Sequence, residues 1–204
     1  MLQKGERRKQ QIIDTAKEMF LEKGYQSTHI GQVCEKLDIA RGTVYQYFGN
    51  KKEILYTLIN NISEKVHELL DNDLLRDYLK TEPAEEDVIS FIKKRLSSCI
   101  EILLTEPIMI KLIYRDISGV DSKIIKYVNG VLETVRDIIA KEIVELKENH
   151  FFRDDIDPFV TSNLLVGGVM MIVYEYYKKG LNVLKSEVID SIVKNYLSGT
   201  LICR

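Results

Sequence analysis

The residues of this chain whose types and spacing could do chemistry lie between Thr28 and Lys51. A short polar stretch from about Ala40 to Phe48 turns only Val44 and Phe48 inward at helical spacing. It leaves Arg41, Gly42, Thr43, Gln46 and Tyr47 facing outward or sideways. Such groups suit base edges: a guanidinium at Arg41 could pair with guanine O6 and N7, the Gln46 carboxamide with adenine, and Thr43 with a thymine methyl. Thr28 at a helix start and Lys51 beyond the polar stretch suit phosphate clamping, and Lys4, Arg7, Arg8 and Lys9 could add sequence-independent contacts. Elsewhere the reactive side chains are scattered. Cys34, Cys99 and Cys203 lack the spacings of a zinc or redox site, and His29, His67 and His150 form no cluster with them. The sequence therefore calls for no cofactor and no metal, and the free thiols fit a reduced, cytoplasmic setting. Glu101, Glu106 and Asp116 could serve an enzyme with a cavity in the C-terminal part, but no paired carboxylate motif supports catalysis.

The elements that must position these groups read as an all-α fold of about nine helices. Ile12, Ile13, Ala16, Met19 and Phe20 mark an amphipathic helix over about Arg8–Leu21, ended by Gly24. A second helix from about Thr28 to Leu37, with Thr28 as its cap, carries Ile30, Val33, Cys34 and Leu37 on one side. Asp38-Ile39 forms the turn into the polar third helix, and Gly49–Lys52 breaks the chain before a long helix from about Lys52 to Leu70. After a loop at Lys80–Pro83, helical periodicity resumes through Val88, Ile89, Ile92, Leu96, Ile100 and Leu103. It continues over about Pro107–Arg115, Ser122–Lys147, Pro158–Lys178 and Leu184–Ser198. The apolar stretch Leu164–Tyr174 holds two glycines and covers about half a bilayer-spanning length, so the expectation is a soluble protein without a membrane partner.

Two short helices joined by a tight turn, the second one polar, meet the geometric needs of major-groove reading. At this point the sequence resembles the TetR family of bacterial regulators. The resemblance rests on Arg8, Ile12-Ile13-Asp14-Thr15-Ala16, Phe20, Lys23-Gly24-Tyr25 and Thr28, and then on the run from Ile39 to Leu55. It covers residues 7–55, a quarter of the chain. The resemblance implies an N-terminal three-helix DNA-binding domain with a helix-turn-helix over residues 1–52. A C-terminal helical ligand-binding and dimerisation domain follows over 53–204, and the helix from about 52 to 70 joins the two. It further implies that Arg41, Thr43 and Gln46 face bases, that Gly42 permits close approach, and that Thr28, Tyr45, Tyr47 and Lys51 hold phosphates. The family usually has glycine where this chain has Asp38, often serine at Ala40, and serine or threonine at His29. A cap lost at Ala40 costs about 1 kcal/mol.

Net charge gives weak support: residues 1–60 carry 10 basic against 7 acidic side chains, whereas the whole chain carries 29 against 31. One recognition helix buries too little surface for high specificity, so a homodimer on palindromic double-stranded operator DNA is expected. Its bundle would come from the last two helices, through Leu164, Leu165, Gly167, Gly168, Met171 and Ile172 in one and Val188, Ile189, Ile192, Val193, Tyr196 and Leu197 in the other. The resemblance implies a repressor with an effector cavity in the middle helices. Leu96, Ile100, Leu103, Met109, Leu112, Ile113, Tyr114, Tyr127, Val131, Met170 and Tyr174 are the candidate lining for a small, largely apolar effector. Two other readings remain open: a helical enzyme using that cavity, and a protein-interaction module without specific DNA binding.

Overall fold

A computed structural model describes residues 2–114 and 120–201, and its described residues form ten helices. They are α1 Leu2–Lys23, α2 Ile30–Leu37, α3 Arg41–Tyr45, α4 Lys51–Leu69, α5 Asn72–Leu79, α6 Glu85–Thr105, α7 Pro107–Ile113, α8 Ser122–Glu148, α9 Pro158–Lys178 and α10 Ser186–Leu197. The described residues contain no strand, only an isolated bridge between Phe152 and Leu201. Arg115, Asp116, Gly119 and Cys203, named above, lie outside the described residues. Both prolines expected at helix starts are the first residues of α7 and α9, where the missing N–H removes no helical bond.

The described residues hold ten helices rather than about nine because α5 leaves little periodic signature in the sequence. Its periodicity is short, with only Leu75 and Leu79 buried, and its start depends on the Asp71 carboxylate accepting from the Asp73 N–H at 3.0 Å. Two tertiary contacts then hold it: Arg76 pairs with Glu145 at 2.8 Å, and the Tyr78 ring stacks on Phe91 at 4.7 Å. Helix α1 also begins earlier than Arg8, so Lys4, Arg7, Arg8 and Lys9 stand on its first turns.

Two compact units are present. The first comprises Met1–Ser63 with Pro107–Asn129. Its core gathers Ile12, Ile13, Ala16, Phe20, Val33, Val44, Ile54, Leu55, Ile59 and, from α7, Ile108 and Ile110. Compactness thus groups α7 and the start of α8 with the N-terminal helices. Asp121 fixes this start: its carboxylate accepts from the N–H groups of Lys123 and Ile124 and pairs with Lys52 at 2.8 Å. Tyr127, on the next turns of α8, meets the Tyr56 ring edge-on at 4.9 Å and donates its hydroxyl to Asn60.

The second unit comprises Glu64–Glu106 with Gly130–Arg204, and in it α6 packs against α9 and α10. Its core includes Leu75, Val88, Ile100, Ile143, Phe152, Val173 and Ile189. Inside this apolar setting Arg95 and Glu142 form an ion pair at 2.5 Å, with side chains 12% and 11% exposed. Arg95 Nε also donates to the Leu69 carbonyl at 2.8 Å, and its guanidinium lies over the Phe91 ring. Burial pushes the Glu142 carboxyl pKa up against the opposing pull of Arg95. It likewise lifts the nearby Cys99 thiol to about 11, so that thiol stays protonated and unreactive.

One expectation about apolar length is corrected. Helix α9 is, by length and composition, long and apolar enough to cross a membrane, although only 28% of its apolar window is buried within the protein. The helix extends the apolar stretch Leu164–Tyr174 at both ends, through Phe159 and Val160 and on to Lys178. One such helix is weak grounds for a membrane span, and its apolar face belongs to a groove described below.

Candidate nucleic-acid interface

The site begins where α1 stops. Gly24 takes a left-handed conformation (φ 84°), which ends α1 and reverses the chain. Thr28, read from sequence as the cap of α2, is instead 1% exposed and turns its hydroxyl back to the carbonyls of Gly24 (2.9 Å) and Met19 (3.2 Å). The cap is His29, whose backbone N–H donates to Gln32 Oε1 at 3.0 Å, the reciprocal half of a capping box. Thr28 therefore fastens the entry to α2 rather than offering a hydroxyl to phosphate.

Asp38 closes α2 in a left-handed conformation (φ 50°, ψ 53°), its N–H bonded to the carbonyls of Cys34 and Glu35. That backbone geometry explains why glycine is favoured there and why Asp, among the few side chains that tolerate it, can replace glycine. Ile39 follows with its N–H on the Cys34 carbonyl at 3.0 Å.

Helix α3 is shorter than the expected Ala40–Phe48. Ala40 provides no side-chain cap, and Gly42, Thr43, Val44 and Tyr45 are poor helix formers, so regular helix holds only from Arg41 to Tyr45. One further turn is kept by bonds from Gln46 to the Gly42 carbonyl and from Phe48 to the Val44 carbonyl. Val44 and Phe48 point inward as expected, at 0% and 3% exposure. Arg41, Gly42, Tyr45 and Gln46 are exposed, and Thr43 and Tyr47 are half-buried. Nothing lies within 4 Å of where a Gly42 side chain would start, so any demand for glycine there comes from outside the chain.

Helix α4 begins at once, through a capping motif that the sequence carries: Asn50 and, three residues on, Glu53. Asn50 Oδ1 accepts from the Glu53 N–H at 3.1 Å, and Glu53 accepts in turn from the Gly49 N–H at 2.8 Å. Lys51, expected to clamp phosphate, spends its ammonium within the protein. It donates to the carbonyls of Tyr25 (2.7 Å), Gln26 (3.0 Å) and Thr28 (3.0 Å) and sits 4.5 Å from the centre of the Tyr25 ring. Partial burial draws its pKa down. The geometry makes Lys51 a strut that ties the start of α4 to the α1–α2 loop.

The remaining candidates fall in both units. Met109, Leu112, Ile113, Tyr114 and Tyr127 belong to the first, where Met109 and Leu112 are buried and Tyr127 is exposed with its hydroxyl on Asn60. Leu96, Ile100, Leu103, Val131, Met170 and Tyr174 belong to the second. There Ile100 and Met170 are buried, and Tyr174 lies 5.1 Å from the Lys178 ammonium.

Among the residues expected at a dimer interface, Ile189, Ile192, Val193 and Leu197 are buried in the chain itself. A helix with one apolar stripe must bury it first against its own domain. An open groove of about 790 Å³ runs between α9 and α10, lined by Leu164, Leu165, Gly168, Ile172, Val188, Ile192 and Tyr196 among others. Gly167 and Met171 are exposed on α9, and Leu164 is 71% exposed, with Phe159 and Val160 also bare.

Residues 12–57 match the family model described as bacterial regulatory proteins, tetR family. The HTH-type transcriptional regulator HbdR of Aromatoleum sp. (strain CIB) is 40% identical over 57 residues, 28% of this chain and 25% of that protein. The fatty acid metabolism regulator protein of Bacillus subtilis is 32% identical over 87 residues, 43% of each. The matches thus span between a quarter and less than half of these relatives' lengths. The solved fatty acid degradation regulator FadR from Bacillus halodurans has the same fold, with a TM-score of 0.72 at 22% identity, covering 94% of this chain and 95% of that one.

Proposed function

Since the chain belongs to the TetR family of bacterial regulatory proteins, helix-turn-helix regulators of transcription, we propose that it is a cytoplasmic homodimer that represses by occupying palindromic operator DNA. A small, largely apolar effector bound in its helical C-terminal domain releases it. The observation that carries this reading is the outward face of α3. There Arg41, Gly42, Tyr45 and Gln46 stand exposed on a turn of helix whose inward residues, Val44 and Phe48, are wholly committed to the core. A polar helix anchored so firmly and left bare on one side has the form of a base reader. Arg41, Thr43 and Gln46 meet bases, and Tyr45 and Tyr47 meet phosphates.

The groove between α9 and α10 supports the dimer. Leu164, Phe159 and Val160 are large apolar groups that a second copy of the same two helices would cover, giving a four-helix bundle. The DNA-binding domain is residues 1–52, and residues 53–204 supply effector binding and dimerisation. Release requires that the effector prefer the conformation unable to bind DNA, and by linkage DNA must weaken effector binding by the same factor.

Selection of bound duplexes from fragmented genomic DNA, followed by footprinting, tests the reading. A two-fold symmetric site is the expected result, and failure to enrich any palindrome overturns it. Apolar metabolites that release the operator are expected to bind more weakly when DNA is present. A compound whose affinity is the same with and without DNA is not the inducer.

A further inference from the structure

Helix α2 presents no side chain at Gly31, and the space this leaves is filled by Arg41. A Cβ built at Gly31 would lie 2.8 Å from Arg41 Nη2, 3.4 Å from Cζ and 3.5 Å from Nε. Three atoms of the guanidinium that close to one point place the group, Nη2 foremost, where a side chain at position 31 would stand on the first turn of α2. Gly31 and Arg41 line a cleft of about 410 Å³ together with Gln32, Glu35 and Tyr45, among others. A Cβ contact below 3 Å is not tolerated, so any residue other than glycine at position 31 moves the guanidinium. The move is cheap because the crowded atoms are the far end of a long, exposed side chain.

We propose that Gly31 is a specificity-determining position which acts through Arg41, by providing the surface that holds the guanidinium in its reading pose. This rests on the assignment of Arg41 to a base edge made above. A long side chain held in one pose before binding loses less freedom on binding, and its hydrogen bonds discriminate more sharply. The seat is made by shape, since Arg41 rests at the N-terminal end of α2, where the helix dipole does not favour a cation. Closing it with a methyl group releases Arg41 into many poses without touching the base-contacting side chains themselves.

The experiment is a double-mutant cycle read by base preference. Wild type, Gly31→Ala, Arg41→Ala and the double variant are each given the selected operator and its single-base-pair substitutions, and relative affinities are measured. Gly31→Ala is expected to lower discrimination roughly two- to tenfold at the base pair that Arg41→Ala relaxes. It should change nothing elsewhere and have no further effect once Arg41 is gone. Its thermal midpoint should not fall, because alanine is the better helix former at a helical position. The inference is overturned if Gly31→Ala leaves the preference unchanged, shifts it equally in the Arg41→Ala background, or shifts it at pairs that Arg41 does not read. It is also overturned if Arg41→Ala relaxes no base pair. If the wild type selects no DNA at all, the reading of α3 fails first, and that result is distinct from an operator insensitive to position 31.

Discussion

Replacing Lys51 by methionine keeps an apolar stem beside Tyr25 and removes only the ammonium. That group donates to three carbonyls at 2.7, 3.0 and 3.0 Å, those of Tyr25, Gln26 and Thr28. A hydrogen bond to a charged group contributes about 1.5–3 kcal/mol. Gln26 is exposed, and water takes over its carbonyl, whereas the bonds to Tyr25 and Thr28 are part-buried and are lost outright. Two bonds at the lower limit, less the desolvation of the amine that opposes them, give a loss of about 2 kcal/mol. Urea unfolding at neutral pH measures it. The same variant titrated with operator DNA at several salt concentrations separates strut from clamp. With all three donors committed inside the protein, the slope of log affinity against log salt should change by less than about 0.5, against about 0.9 for a lost phosphate contact. Unchanged stability together with a slope reduced by a full ion would refute the strut.

Asp38→Gly should raise stability by about 0.5 kcal/mol in thermal unfolding, because the strain of a non-glycine residue at φ 50° outweighs the added freedom of the unfolded chain; a fall would mean that the turn is not strained. Leu164→Glu should leave the protomer folded, since the side chain is 71% exposed, and yield monomers by sedimentation with a loss of cooperative operator binding; an intact dimer would move the interface off α9. Arg95→Met should cost about 3–5 kcal/mol at neutral pH by leaving Glu142 buried without its cation, and Arg95→Met with Glu142→Met should regain most of that. In the single variant the folded-state pKa of Glu142, already raised by burial, rises further. Stability should then be highest at low pH and fall as pH rises from the ordinary carboxylate value through the folded value; a deficit independent of pH would show that the lost packing of Arg95 is what matters.

The helix-turn-helix and the all-helical class were legible in the sequence because they depend on local pattern. Ile12, Ile13, Ala16 and Phe20 recur at the helical period, and Val44 and Phe48 alone among their neighbours are apolar enough for the core; all six are buried. Capping is local too, so Asn50 and Glu53, or His29 and Gln32, could have been read from their three-residue spacing. Hydroxyl and ammonium groups are different. Whether Thr28 and Lys51 point to solvent or inward depends on carbonyls brought near by the α1–α2 loop, up to 26 residues away for Lys51, and sequence spacing says nothing of such partners.

The same holds for the C-terminal part. Periodicity identified the apolar stripes of α9 and α10. A stripe does not reveal which of its members meets the chain's own core, as Ile189, Val193 and Leu197 do, and which stays bare, as Leu164 does. What the sequence by itself determined was therefore the helices, their order and the polar face of α3, since 3.6-residue periodicity and turn chemistry act between neighbours in the chain. What only the tertiary structure decided was the direction of each long polar side chain. The energy of a buried donor or cation is fixed by partners distant in sequence, as in the pairing of Arg95 with Glu142.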